Sequence, residues 1–128
     1  MRVLVVDDYP GAAEAACLLL RLLGHEPLAA MTGQQALERA ATFDPDIVVL
    51  DLGLPDVSGL DVARALRQRP GRRQFIVALT GSSSSEDRGR VRDAGIDMYV
   101  LKPASADNLA RIITAARRSI SAATGDLR

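Results

Sequence analysis

Five apolar runs alternate along the chain with five stretches in which apolar positions recur every three or four residues. The runs predict strands at about residues 2–6, 26–30, 46–50, 74–79 and 97–101. The first, third and fourth are apolar almost throughout, as suits parallel strands covered on both faces. The second, Glu26-Pro27-Leu28-Ala29-Ala30, is weaker, and its proline suits an edge strand. Ala13, Ala16, Leu20 and Leu23 share one face of a first helix that starts near Pro10 and stops at Gly24. Leu109, Ile112, Ile113, Ala116 and Ile120 do the same in the last helix. Thr32-Gly33-Gln34-Gln35 has the form of a capping box for the second, Ser58 and Ser105 stand as N-caps of the third and fifth, and Ser83-Ser84-Ser85-Glu86-Asp87 offers several starts for the fourth. Strands separated by helices imply βαβ units with right-handed crossovers, so the chain is expected to form an α/β doubly wound parallel sheet.

The residues that end the apolar runs add chemistry to this frame. Val3-Leu4-Val5-Val6 stops at Asp7-Asp8, Ile47-Val48-Val49-Leu50 at Asp51, Phe75-Ile76-Val77-Ala78-Leu79 at Thr80, and Met98-Tyr99-Val100-Leu101 at Lys102-Pro103. In a parallel sheet these ends share one edge, and open α/β sheets bind ligands in the crevice outside the carboxyl ends of their strands. The pattern predicts one site with three carboxylates, a hydroxyl and an ammonium. Helices that follow the strands turn their positive dipole ends to the same edge, which favours an anion there.

Composition narrows the possibilities. The chain has 128 residues, 48% of them hydrophobic, which suffices for one core but not two. One domain over residues 1–121 is expected, with a tail at 122–128 that lacks a core pattern and frays. There is no repeat beyond the βα alternation and no dividing linker, and no output domain is expected after the tail. Lysine plus arginine, 16, balance aspartate plus glutamate, 16. No overall field draws the chain to nucleic acid or to an anionic membrane, so neither is expected as a direct partner. The single cysteine, Cys17, excludes an internal disulfide and fits the cytoplasm. No apolar stretch is as long as a membrane span.

Asp7-Asp8, Asp51, Thr80 and Lys102-Pro103 in this order, with the loop Asp51-Leu52-Gly53-Leu54-Pro55-Asp56-Val57-Ser58-Gly59, give a chain that resembles the receiver domain of bacterial two-component response regulators. The resemblance implies a flavodoxin-like (βα)5 sheet of strand order 2-1-3-4-5, in which Asp8 and Asp51 face each other at the switch point. It implies a signalling phosphoacceptor, not an enzyme on external substrates, that catalyses only its own phosphorylation and dephosphorylation. Asp51 would take a phosphoryl group from the phosphohistidine of a histidine kinase or a histidine phosphotransfer domain. Asp7 and Asp8 would hold Mg2+ or Mn2+, with Asp51 and the backbone carbonyl of Gly53 completing the protein ligands. Charge counting agrees, since each carboxylate pair at ~4 Å and an effective dielectric of ~20 costs on the order of 4 kcal/mol. Lys102 alone cannot offset three carboxylates and a phosphoryl group.

The resemblance also implies that Lys102 and Thr80 contact the phosphoryl oxygens and that the Lys102-Pro103 bond is cis. Thr80 would move towards the phosphoryl group, drawing the loop from Gly81 to Ser85 inward, and Tyr99 would turn from an exposed to a buried rotamer. The fourth helix, fifth strand and fifth helix would form the altered surface, read by a downstream protein. The chain would serve as a single-domain regulator, a phosphorelay intermediate or the receiver of a hybrid kinase. Gly53 and Ser82 correspond to positions that govern water access to the aspartyl phosphate, and both are small, so a short phosphoryl lifetime is expected. Gly81 is small where the phosphoryl group approaches.

Other residues carry plainer expectations. His25 is expected as a solvated loop residue, Cys17 as a packing residue, and the arginines at 67, 69, 72 and 73 as a solvated face. The serines at 82–85 read as a loop or cap. Two other readings stand beside the phosphoacceptor. A haloacid dehalogenase-type phosphatase would need Asp-x-Asp after the first strand, where Asp7-Asp8-Tyr9 stands. A phosphorylation-independent pseudo-receiver usually lacks an acidic ligand or the phosphoacceptor, and this chain keeps both. No Gly-x-Gly-x-x-Gly follows the first strand, which argues against dinucleotide binding.

Overall fold

The computed structural model describes residues 1–81 and 85–123, so Ser82, the helix starts offered at Ser83 and Ser84, and residues 124–128 of the expected tail lie outside the described residues. The elements are β1 (Arg2–Val6), α1 (Pro10–Leu22), β2 (Glu26–Ala30), α2 (Gly33–Phe43), β3 (Ile47–Asp51), α3 (Gly59–Gln68), β4 (Phe75–Thr80), α4 (Ser85–Asp93), β5 (Met98–Leu101) and α5 (Ala106–Ala123). All strand pairs are parallel, in the order β2-β1-β3-β4-β5. This is the expected doubly wound sheet, with its reversal between β1 and β3.

Successive side chains of a strand leave opposite faces, and here both faces are apolar. Val3, Val5, Ile47, Val49 and Val77 meet Cys17 and Leu20 of α1 and Leu109 and Ile112 of α5. Leu4, Val6, Val48, Leu50 and Ile76 meet Ala36 of α2, Val62 and Leu66 of α3 and Val91 of α4. The two-sided burial explains why these strands read as continuous apolar runs. Cys17 is a buried packing residue, as expected.

The helix starts follow local chemistry. Pro10 opens α1, and Gly24 behind it has φ 89, a conformation that suits glycine. Thr32 accepts from the N–H of Gln35 at 3.0 Å, while the Gln35 side chain reaches back to the N–H of Met31 at 2.9 Å. Ser58 accepts from Leu60 and Ser105 from Asn108, each at 3.2 Å. At its far end α5 runs to Ala123, and alanine at positions 122 and 123 suits a helix.

β3 and β4 begin and end one residue later than the apolar runs suggest. The Asp46 side chain turns aside to accept from the N–H of Arg2 at 2.8 Å. At the other end Asp51 pairs in register with Leu79 and Thr80 with Leu101. The two polar residues are therefore the last positions of rigid strands.

The amino edge of the sheet corrects two expectations. Arg67 is mostly buried and donates to the carbonyls of Gly95 and Gln74, both at 2.8 Å, and to Asp97 Oδ2 at 2.6 Å. Arg73 reaches the other Asp97 oxygen at 2.7 Å, and Arg72 reaches Asp46 at 2.6 Å. A planar fork of donors suits several acceptors at once, so Arg67 ties the end of α3 to the loops before β4 and β5 instead of joining a solvated face, while Arg72 and Arg73 are exposed as expected and form their ion pairs at the surface. His25 is half-buried, with Nδ1 3.1 Å from the amino group of Met1, and burial lowers its pKa.

Candidate functional site

The carboxyl edge of the sheet brings together the residues expected there. Asp7, Asp8 and Asp51 each offer a carboxylate oxygen within 4.8 Å of the others. Asp7 and Asp51 are 6% and 5% exposed, while Asp8 faces solvent. β1 and β3 are neighbours, with Val6 opposite Leu50, which carries the acidic pair on one strand end to Asp51 on the next.

Each carboxylate is held by its own loop. Asp7 Oδ1 accepts from the N–H of Tyr9 at 2.9 Å, and Asp51 Oδ1 accepts from the N–H of Gly53 at 3.0 Å. Lys102 Nζ lies 3.3 Å from the same Asp51 oxygen. The backbone N–H of Lys102 donates to the carbonyl of Thr80 at 2.7 Å, which ties the lysine loop to the end of β4. The Lys102-Pro103 bond is cis, and Thr80 is buried at the strand end.

Burial raises the Asp7 pKa above the usual carboxylate value; the Tyr9 N–H opposes this, and the nearby Asp51 and Asp8 charges add to it against Lys102. The pocket thus holds excess negative charge at close range. A hard cation with oxygen ligands suits such a donor set.

Tyr99 is half-buried and packs against the cluster under α2, α3 and α4, with its hydroxyl enclosed and no hydrogen-bond partner among the described residues. The Arg88 guanidinium lies over its ring, 5.3 Å from the centroid. The ring occupies the inward position. A Cβ on Gly53 would meet only Asp51 Oδ1 at 3.8 Å, and one on Gly81 would meet nothing within 4 Å among the described residues. Neither glycine is demanded by packing.

Two residues between β3 and the first turn of α3 matter in ways the sequence pattern did not reveal. Asp56 Oδ1 accepts from the N–H of Gly33 at 2.8 Å and Oδ2 from that of Gln34 at 3.0 Å. A carboxylate from 23 residues away thus occupies the start of α2, so that helix end is not offered to a bound anion. A Cβ on Gly59 would stand 2.6 Å from the Asp51 carbonyl oxygen and 2.7 Å from Leu52 Cα. Only glycine lets α3 begin so close to the backbone of Asp51. Its place at the end of the Asp51–Gly59 loop was the available signal; the contact itself is tertiary.

The fold and site define an α/β domain with an acidic pocket, approached by Lys102, where the doubly wound sheet reverses. The chain belongs to the response regulator receiver domain family, whose model matches residues 3–114. Among its relatives is the transcriptional regulatory protein KdpE of Mycobacterium tuberculosis, 42% identical over 125 residues that cover 94% of this chain and 53% of that protein. The DNA-binding response regulator MtrA of Mycolicibacterium smegmatis is 40% identical, covering 92% of this chain and 51% of the relative. The chain spans about half the length of these curated relatives. A solved CheY-like receiver domain from Methylobacillus flagellatus superposes with a TM-score of 0.79 at 32% identity, covering 91% of this chain and 98% of that one. Accepting a phosphoryl group is the general function of this family.

Proposed function

We propose that Asp51 is the phosphoacceptor and that the chain takes its phosphoryl group from the phosphohistidine of a histidine kinase or histidine phosphotransfer domain. The observation that carries this reading is the near-buried Asp51 carboxylate, 3.3 Å from Lys102 Nζ and within 4.8 Å of Asp7 and Asp8 oxygens. An Asp51 oxygen attacks phosphorus, the phosphorus–nitrogen bond of the donor breaks, and its electron pair returns to the imidazole. Lys102 balances charge on the phosphoryl oxygens, and Thr80 donates its hydroxyl to one of them. Asp7, Asp8, Asp51 and the carbonyl of Gly53 would hold Mg2+ or Mn2+, and three carboxylates fit that choice. When bound, the cation offsets negative charge at the carboxylates and at the transferring group.

The chain promotes only its own phosphorylation and dephosphorylation. The phosphoryl group would act through Thr80 on the α4-β5-α5 surface that bears Tyr99; residues 82–84 of the loop expected to move lie outside the described residues. A phosphorylated state is favoured only by its differential contacts. Among the described residues no helix is long and apolar enough to cross a membrane, which accords with a cytoplasmic receiver. The greater length of the relatives and the name of MtrA fit control of an attached DNA-binding segment; a stand-alone receiver or a phosphorelay intermediate would use the same switch. Residues 1–121 suffice for this unit. Incubating wild type and Asp51→Asn with acetyl phosphate, with and without Mg2+, tests the assignment by intact mass. A Mg2+-dependent phosphoryl adduct in wild type alone is expected, and an equal adduct on the variant overturns it.

A further inference from the structure

Residues 52–58 join β3 to α3 and include Gly53, whose carbonyl is proposed as a metal ligand. The segment is fastened at three points. At its start the N–H of Gly53 donates to Asp51 Oδ1 at 3.0 Å, and at its end the N–H of Gly59 donates to the carbonyl of Leu52 at 3.3 Å. Between them Asp56 reaches across to α2 and takes the N–H groups of Gly33 at 2.8 Å and Gln34 at 3.0 Å. The two segments are pressed together, since a Cβ on Gly33 would stand 2.9 Å from Val62 Cγ2 and 3.0 Å from Val57 Cβ.

The contact is more than α2 needs for its own start. Thr32 already serves as the N-cap and accepts from the N–H of Gln35 at 3.0 Å, and the Gln35 side chain closes the capping box on Met31. A carboxylate at the positive end of a helix adds to such a cap, but this one comes from the loop beside Asp51. What Asp56 contributes beyond the helix is a fixed position for residues 52–58.

We propose that Asp56 is a positioning residue for the metal: by clamping the 52–58 segment to the start of α2, it fixes the Gly53 carbonyl for cation binding. The inference rests on the preceding reading of Asp7, Asp8, Asp51 and Gly53 as the ligands of Mg2+. That ion demands near-ideal octahedral geometry, so a loop free to wander lowers affinity in proportion to the fraction of chains whose carbonyl is in place. The coupling is reciprocal. A bound cation therefore tightens the clamp by the same factor by which the clamp favours the cation.

The test uses the full chain and Mg2+ alone, with no phosphoryl donor. Binding is followed by the backbone amide shifts of Asp51 and Gly53 in wild type, Asp56→Ala, Asp56→Asn and Asp61→Asn. Asp56→Ala is expected to raise the Mg2+ Kd about fivefold, as when the competent fraction of the loop falls to about one fifth, and Asp56→Asn, which keeps one accepting oxygen, about twofold. The asparagine variant carries the test if the alanine variant does not fold. Asp61→Asn removes one negative charge from the first turn of α3 without touching the clamp, and should leave Kd unchanged. The Asp56 effect should persist at about 500 mM salt, where screening acts within about 4 Å. In wild type, saturating Mg2+ should slow hydrogen exchange at the Gly33 and Gln34 amides about fivefold. A residue serving only the stability of α2 would leave Kd and that exchange response unmoved, and either result overturns the proposal. So does an equal rise in Kd for Asp61→Asn, an effect that vanishes with salt, or no Mg2+ response in wild type. Acetyl phosphate separates the readings: Asp56-dependent Mg2+ binding in a wild type that never accepts phosphorus sinks the phosphoacceptor assignment and leaves the clamp standing.

Discussion

Neutralising Asp7 should make the metal-free protein more stable and deprive it of its response to magnesium. Its carboxylate lies within 4.8 Å of both Asp8 and Asp51. Like charges at that separation repel by about 3.5 kcal/mol at an effective dielectric of ~20 and by about 0.9 kcal/mol in water. Asp51 is buried and Asp8 exposed, so the two pairs fall towards opposite ends of that range, and Lys102 offsets part of the sum. A net relief of about 1–2 kcal/mol follows, worth about 3–10 °C in a domain of this size. Asp7→Asn keeps the oxygen that accepts from Tyr9, so the loop is preserved. The sign agrees with the raised pKa of Asp7, caused first by burial and then by its acidic neighbours against the Tyr9 N–H. A group raised in the fold favours folding below the ordinary carboxylate range and loses that contribution as pH rises through the raised value, so at pH 7 the metal-free wild type bears the full repulsion. Thermal unfolding at pH 7 in EDTA and in Mg2+ reads both effects. Wild type should gain about 1.4 kcal/mol at tenfold excess over Kd, and Asp7→Asn much less. A lower melting temperature for Asp7→Asn in EDTA, or an undiminished Mg2+ shift, would refute the reasoning.

Lys102→Met should slow phosphorylation by acetyl phosphate about 10–100-fold while the fold survives, because a half-exposed ion pair contributes at most about 1 kcal/mol to stability; an unchanged time course by intact mass counts against it. Arg67→Ala removes three hydrogen bonds and leaves Asp97 with Arg73 as its one ionic partner among the described residues, and should cost about 2–4 kcal/mol in urea unfolding. Hydrogen bonds from Gly33 and then Gln34 lower the Asp56 pKa, so its contribution is present above the ordinary carboxylate value and lost as pH falls through the lowered one; the stability gap between wild type and Asp56→Asn should close on acidification below pH ~4. Gly53→Leu has room for its Cβ beside Asp51 and should lengthen the phosphoryl lifetime by shielding it from water, a change read by loss of the adduct mass with time.

Much of the fold is written in local patterns. Strands covered on both faces must be continuously apolar, so β1, β3 and β4 stand out, and the polar residues that end them mark the site. Strand order is different, because nothing in a run such as Val3–Val6 says which strand lies beside it; that came from resemblance to a family. Side chains that bridge distant segments were invisible for the same reason. Asp56 reaches the start of α2 across 23 residues and Arg67 reaches Asp97 across 30, and in the sequence each is one charged residue in a polar stretch. His25 read as solvated because its contact is with the first residue of the chain. The close approach of Gly59 to the Asp51 backbone likewise appears only once α3 is packed.

The most direct measurement is the position of the acyl phosphate. After exposure to acetyl phosphate and Mg2+, borohydride reduction followed by peptide mass mapping marks the carboxyl that carried phosphorus. The account predicts a reduced residue at position 51 alone, present with Mg2+ and absent with EDTA. Labelling at Asp7 or Asp8, or labelling of Asp51 that ignores the metal, would contradict it.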